Sequence, residues 1–90
     1  MASVNFTYAL RRFFPEIAPQ QIEATTVRDI LDVLEQRFPG IRGYILDDQG
    51  RLREHVNIFL NGDLINDKVS QSDAVGEKDE VFIMQALSGG

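Results

Sequence analysis

The sequence predicts an α+β domain, a mixed sheet of four to five strands with one main helix packed on one face. Three observations carry this. A single stretch repeats its apolar residues at helical spacing, with Val27, Ile30, Leu31, Leu34 and Phe38 falling at i, i+3, i+4, i+7 and i+11. Several shorter stretches instead alternate apolar and polar residues, as half-buried strands do. The chain has 90 residues, and a chain of that size buries around 60% of its unfolded surface, enough for one core. One amphipathic helix covers one sheet face, so the other face is expected to be open.

Taken in order, Val4, Phe6, Tyr8 and Leu10 alternate with Asn5, Thr7 and Ala9, which predicts a first strand over 2–10. Arg11 to Pro19 holds two prolines and reads as a loop. Ile22 and Ala24 then alternate with Glu23 and Thr25, a second short strand able to pair with the first. Thr26 is placed to cap the helix, with Asp29 three residues on as a weaker capping box, and Pro39-Gly40 stops it. Residues 41–54 are irregular, with a turn at Asp47-Asp48-Gln49-Gly50. Val56, Ile58 and Leu60 form a third strand that runs into Asn61-Gly62, a tight-turn pair, and a short return through Leu64-Ile65. An acidic stretch of surface loops leads to a last strand over 80–85, with Val81 and Ile83 on one face and Phe82 and Met84 on the other.

Composition narrows the function. The longest apolar run is four residues, Val81 to Met84, against the roughly 20 needed to span a bilayer. The start, Met1-Ala2-Ser3-Val4-Asn5, lacks the basic and apolar regions of a signal peptide. Cysteine is absent, so there is no thiolate nucleophile and no cysteine-ligated metal; a cytoplasmic location is expected. The net charge is −5, and residues 63–80 hold six carboxylates against two lysines. Such a surface repels phosphate backbones, so neither nucleic acid nor membrane is expected as a partner. Asp73, Glu77, Asp79 and Glu80 either steer a basic protein surface or serve solubility. His55, the single histidine, reads as a rim residue, since no second ligand stands near it in sequence. No acid–base pair, nucleophile or metal constellation suggests an enzyme.

The sequence closes on Ala86-Leu87-Ser88-Gly89-Gly90. Two residues without a Cβ can thread a channel too narrow for others. A boundary at 85/86 separates a domain over 1–85 from a flexible tail over 86–90. The order of elements, with Thr26-Val27-Arg28-Asp29-Ile30-Leu31, Arg37-Phe38-Pro39-Gly40-Ile41, Leu52 through Gly62 and Asp79 through Gly90, resembles the ubiquitin-like β-grasp fold. Within it the chain is similar to the MoaD/ThiS-like sulfur carriers, the molybdopterin synthase small subunit and the thiamine sulfur carrier. Two departures stand out: Gln85 occupies a place where the family often has proline, and residues 39–54 are longer than in the shortest members. The longer carriers include some that serve cysteine synthesis.

The resemblance implies a co-substrate, not an enzyme. The Gly90 carboxylate would be adenylated by a ubiquitin-activating-like adenylyltransferase using Mg-ATP, with no cofactor or metal held by this chain. A sulfurtransferase or cysteine desulfurase would supply sulfur, making a thiocarboxylate for a sulfur-accepting synthase subunit. Molybdopterin synthesis stands first among the acceptors, with thiamine or cysteine synthesis as alternatives. A modifier forming isopeptide bonds, and a binding module with incidental glycines, are the rival readings. Beside Gly89 and Gly90, the resemblance marks Met84 and Leu87 as contact positions, and Ser88 joins them in the tail. Phe59 and Phe82, with Thr7 at the edge, are docking candidates on strand alternation alone.

Overall fold

The computed structural model describes residues 1–85; the tail expected over 86–90 lies outside the described residues. Strands β1 (Ala2–Phe6), β2 (Gln20–Ile22), β3 (Val56–Leu60), β4 (Asp63–Leu64) and β5 (Glu80–Gln85) form one mixed sheet in the order β2-β1-β5-β3-β4. The central pair, β1 and β5, is parallel, and the remaining pairs are antiparallel. Helix α1 (Val27–Arg37) turns Val27, Ile30, Leu31 and Leu34 into the core. There they meet Val4, Ile22, Val56, Ile58, Val81 and Ile83 of the sheet. This is the β-grasp architecture that the resemblance implies, with the one covered face that the periodicities predict.

Thr26 caps α1 as expected, its Oγ1 accepting from the Asp29 N–H at 3.1 Å. The Asp29 carboxylate in turn accepts from the Thr25 hydroxyl at 3.0 Å. At the other end of the sheet, Asn61 and Gly62 take φ of 52° and 90°, the positive pair that a two-residue hairpin needs.

Three local expectations are corrected. The first strand ends at Phe6, and Tyr8–Arg12 form a 3₁₀ turn. Past Val4↔Gln20 only β5 still holds β1, to Phe6↔Ile83, and the chain then turns, with the Leu10 N–H donating to the Thr7 carbonyl. Leu10 is still buried, so the alternation marked the right residue on the wrong element. The second strand likewise sits two residues earlier than its apolar pattern suggests. Residues 41–54 are not wholly irregular, because Ile41–Ile45 form a short helix, α2. Gly40 reverses the chain at φ 98°, Glu35 accepts from the N–H groups of Gly40 and Arg42, and Ile41 and Ile45 reach the core.

The acidic stretch is also more than solvated surface. Asp67 accepts from the N–H groups of Val69, Ser70 and Ser72 and from the Ser72 hydroxyl. Asp73 holds the N–H groups of Asn66 and Asp67, and Asp79 takes Gly76 N–H and Asn61 Nδ2. Gln71, fully buried, donates from Nε2 to the carbonyls of Gly50 and Lys68. These bonds shape a segment that has little apolar content of its own.

Candidate functional site

The sheet face away from α1 is built by the residues that alternate with the core. Register places Asn5, Phe82, Phe59 and Leu64 in one row across β1, β5, β3 and β4. Met84 stands opposite Asn57 in the next row on this face. Toward β2 the face is polar, with Gln21 donating from Nε2 to the Ser3 hydroxyl. Toward β4 it is apolar: Phe82 is 38% exposed, Leu64 48%, and Phe59 and Met84 are half-buried. An apolar patch ringed by polar residues is what a protein-binding surface requires.

The structure therefore brings Phe59, Phe82 and Met84 together, as strand alternation suggests, and adds Leu64. The signal for Leu64 was present in the sequence. A two-residue turn at Asn61-Gly62 puts residue 64 opposite residue 59 in any antiparallel hairpin. Leu87, Ser88, Gly89 and Gly90 lie outside the described residues. Thr7, the edge candidate, also has a structural part. Its N–H donates to the Ile83 carbonyl at 3.0 Å, and its Oγ1 accepts from the Gln85 N–H at 3.1 Å. It extends the hold of β1 on β5 by one residue beyond Phe6↔Ile83.

That hold fixes the end of β5 on both sides. Gln85 is paired with Val56 across β3 while its N–H is taken by Thr7. Any segment following residue 85 starts from an anchored point at the middle of the sheet, next to the Phe82–Met84 patch. His55, just before β3, is exposed. Asp47 accepts from the N–H groups of Gln49 and Arg51 and so builds the turn read from Asp47-Asp48-Gln49-Gly50. Its carboxyl is held below the ordinary range, first by the Arg51 N–H. Among the described residues, no group of three His, Asp or Glu side chains is placed to hold a metal, and no helix is long and apolar enough to cross a membrane.

Comparison with known proteins places this geometry. The chain is 31% identical over 65 residues to small archaeal modifier protein 1 of Haloferax volcanii, spanning 72% of this chain and 70% of that protein. Its fold matches a chain in the crystal structure of the Amycolatopsis orientalis BexX/CysO complex with a TM-score of 0.84, at 22% identity and covering 100% of both chains. Mycobacterium tuberculosis CysO matches with a TM-score of 0.82, at 22% identity over 97% of this chain and 100% of that one. The ThiS family model matches residues 6–90, and the chain belongs to this family of small ubiquitin-like carriers and modifiers.

Proposed function

We propose that this chain is a sulfur carrier whose Gly90 carboxylate is the reactive group and whose open sheet face docks the enzymes that act on it. The observation that supports it best is the anchored end of β5 beside an apolar patch, in a chain matching the ThiS family model through residue 90. A carboxylate resists nucleophiles because its charge is delocalised. An adenylyltransferase using Mg-ATP joins AMP to one carboxylate oxygen and releases pyrophosphate. A persulfide delivered by a sulfurtransferase or cysteine desulfurase then adds at carbon and AMP leaves, giving an acyl disulfide, and a thiol reductant cleaves its S–S bond to release the thiocarboxylate. No side chain of this protein takes part in bond making.

Reach and energy suit this role. At about 3.3–3.6 Å per residue, a chain of five residues spans at most roughly 17 Å, a reach that suits entry into a partner's site. Ordering them costs roughly 1–2 kcal/mol per residue. Covering the surface of Phe59, Leu64, Phe82 and Met84 that is still exposed offsets only part of this, because full burial of such a side chain contributes about 1.5–3 kcal/mol and each is already at least half covered; contacts of the tail inside the partner supply the rest. The acceptor expected first is a molybdopterin precursor, with a thiazole precursor and activated serine behind it. The relation to a small archaeal modifier protein favours a second reading, conjugation through an isopeptide bond.

One experiment separates these. Intact mass of the protein purified from its host is expected to show one oxygen replaced by sulfur, and a variant with one residue added after Gly90 is expected to lose that form while folding normally. Sulfur loading retained by the extended variant would falsify the proposal. Recovery of the chain only in conjugates to lysine would favour the modifier.

A further inference from the structure

Thr26 and Thr7 both stand at the N-cap of a helical segment, and they spend their hydroxyls differently. Thr26 bonds the first turn of its own helix, accepting from the Asp29 N–H. Thr7 precedes the Tyr8–Arg12 turn, yet its hydroxyl makes no capping bond to that turn. It accepts instead from the Gln85 N–H at 3.1 Å, across 78 residues of sequence. A threonine at an N-cap ordinarily gives its oxygen to one of the unpaired N–H groups that follow it. Here that stabilisation is given up for a bond to the end of β5.

The ladder between β1 and β5 explains the exchange. In a parallel pair a residue donates its N–H to one carbonyl of the neighbouring strand and offers its own carbonyl to the N–H two residues further on. Thr7 meets the first half of that pattern, with its N–H on the Ile83 carbonyl at 3.0 Å. Its carbonyl, however, is diverted into the turn and accepts from the Leu10 N–H at 3.3 Å. The hydroxyl takes the place of that carbonyl for Gln85. The chain therefore leaves the sheet at Thr7 without releasing the last residue of β5. On the other side Gln85 stands opposite Val56, but its single N–H is already directed to β1. Its side-chain Oε1 is buried and has no partner among the described residues. One hydroxyl carries the β1-side hold on residue 85.

We propose that Thr7 is a positioning residue for the chemistry at Gly90, acting through Gln85; this rests on the carrier reading. Residue 85 is the point from which the chain sets out toward a partner, and the Thr7 hydroxyl fixes its place on the sheet. With the hydroxyl present, a partner that takes up Gly90 has residues 86–90 to order. Without it, Gln85 joins them. The entropy of one more residue lowers the share of docked complexes whose carboxylate is aligned for attack on ATP, by about fivefold while β3 still pairs with residue 85. Docking of the body through the Phe59–Phe82 patch does not depend on this bond. The loss therefore falls on turnover and not on affinity.

The test compares Thr7→Val and Thr7→Ser in the full chain, using the host's adenylyltransferase with Mg-ATP and reading pyrophosphate release. Valine keeps the β-branched shape and the N–H bond to Ile83 but has no acceptor, whereas serine restores one. Thr7→Val is expected to lower kcat about fivefold with KM within about twofold, and Thr7→Ser to return kcat to within about twofold of the parent. In the free protein, Thr7→Val is expected to speed hydrogen exchange at the Gln85 amide about fivefold or more while Val81 keeps its protection. The thermal midpoint should fall by no more than about 8 °C. A rise in KM at unchanged kcat overturns the proposal and makes Thr7 part of the docking face. Unchanged kcat in Thr7→Val, a loss that Thr7→Ser does not restore, or Gln85 exchange as slow as in the parent also overturns it. A parent chain that releases no pyrophosphate sinks the carrier reading and this proposal together; a parent that turns over no faster than Thr7→Val sinks this one alone.

Discussion

Strand β5 carries two different tasks on its two faces. Val81 and Ile83 are buried under α1, whereas Phe82 and Met84, one residue out of step, look away from it. The backbone is shared, and the strand is paired on both sides. Stability and recognition are thus separated by the two-residue period of the strand and not by distance along the chain. Substitutions at neighbouring positions are expected to fail in different assays. Ile83→Ala removes a side chain that has no exposed surface and is expected to cost about 2–5 kcal/mol in urea unfolding. Docking by the fraction that stays folded should be unaffected.

Phe82→Ala should behave in the opposite way. The ring is already 38% exposed, so its loss is expected to change stability by less than about 1 kcal/mol. Affinity for the adenylyltransferase is expected to fall by about thirtyfold, or about 2 kcal/mol, as for a central aromatic in an interface. Calorimetry with the partner enzyme checks it. A large drop in unfolding free energy with unchanged affinity would mean that the two faces are not independent. Leu64→Ala belongs to the same row and should follow Phe82 with a smaller loss.

Gly40→Ala probes the helix layer, at an expected cost of about 1 kcal/mol. A Cβ there meets only Phe14 Cζ, at 4.0 Å, so space does not forbid it. The φ of 98° does, because L side chains avoid that region. The thermal midpoint is the readout. Binding at the Phe59–Phe82 patch should be unchanged, since Gly40 lies between α1 and α2, the layer that covers the opposite face.

The helix, the last strand and the Asn61-Gly62 hairpin were legible because each is fixed by local signals: periodicity, a cap, a turn pair. What escaped depended on partners distant in sequence. The first strand's end is set by where its pairing with β5 stops, at Phe6↔Ile83, and the role of Thr7 by the arrival of Gln85. Ile41 and Ile45 do stand at helical spacing, but two residues are too few to declare a helix when Gly40 must first reverse the chain. Asp73 and Asp79 read as steering or solubilising charges, and Asp67 as part of an acidic surface loop, because composition does not show which carboxylates turn inward to loop amides. Leu64 required combining turn length with register, a step available from the sequence alone.

Asp67 supplies the smallest effect and the cleanest control, since it belongs to neither face. Its carboxyl is lowered from the ordinary 3.8 to about 2, chiefly by the Ser72 hydroxyl, then by the Ser70 N–H, with the amides of Ser72 and Val69 adding and desolvation opposing. A carboxyl whose folded pKa is depressed binds its proton more weakly in the native state. It therefore contributes stability that is fully present above 3.8 and is lost as pH falls toward about 2. Urea midpoints measured across that window should decline, and Asp67→Asn should flatten the decline. A residual slope is expected, because Asp29, Glu35, Asp47 and Asp79 are also lowered, by hydrogen bonds from Thr25, Gly40, Arg51 and Asn61 in turn. Near neutral pH the variant should dock and load sulfur as the parent does. If Asp67→Asn instead weakens the adenylyltransferase, the acidic loop belongs to the interface, and the division of labour seen in β5 does not extend to the rest of the surface.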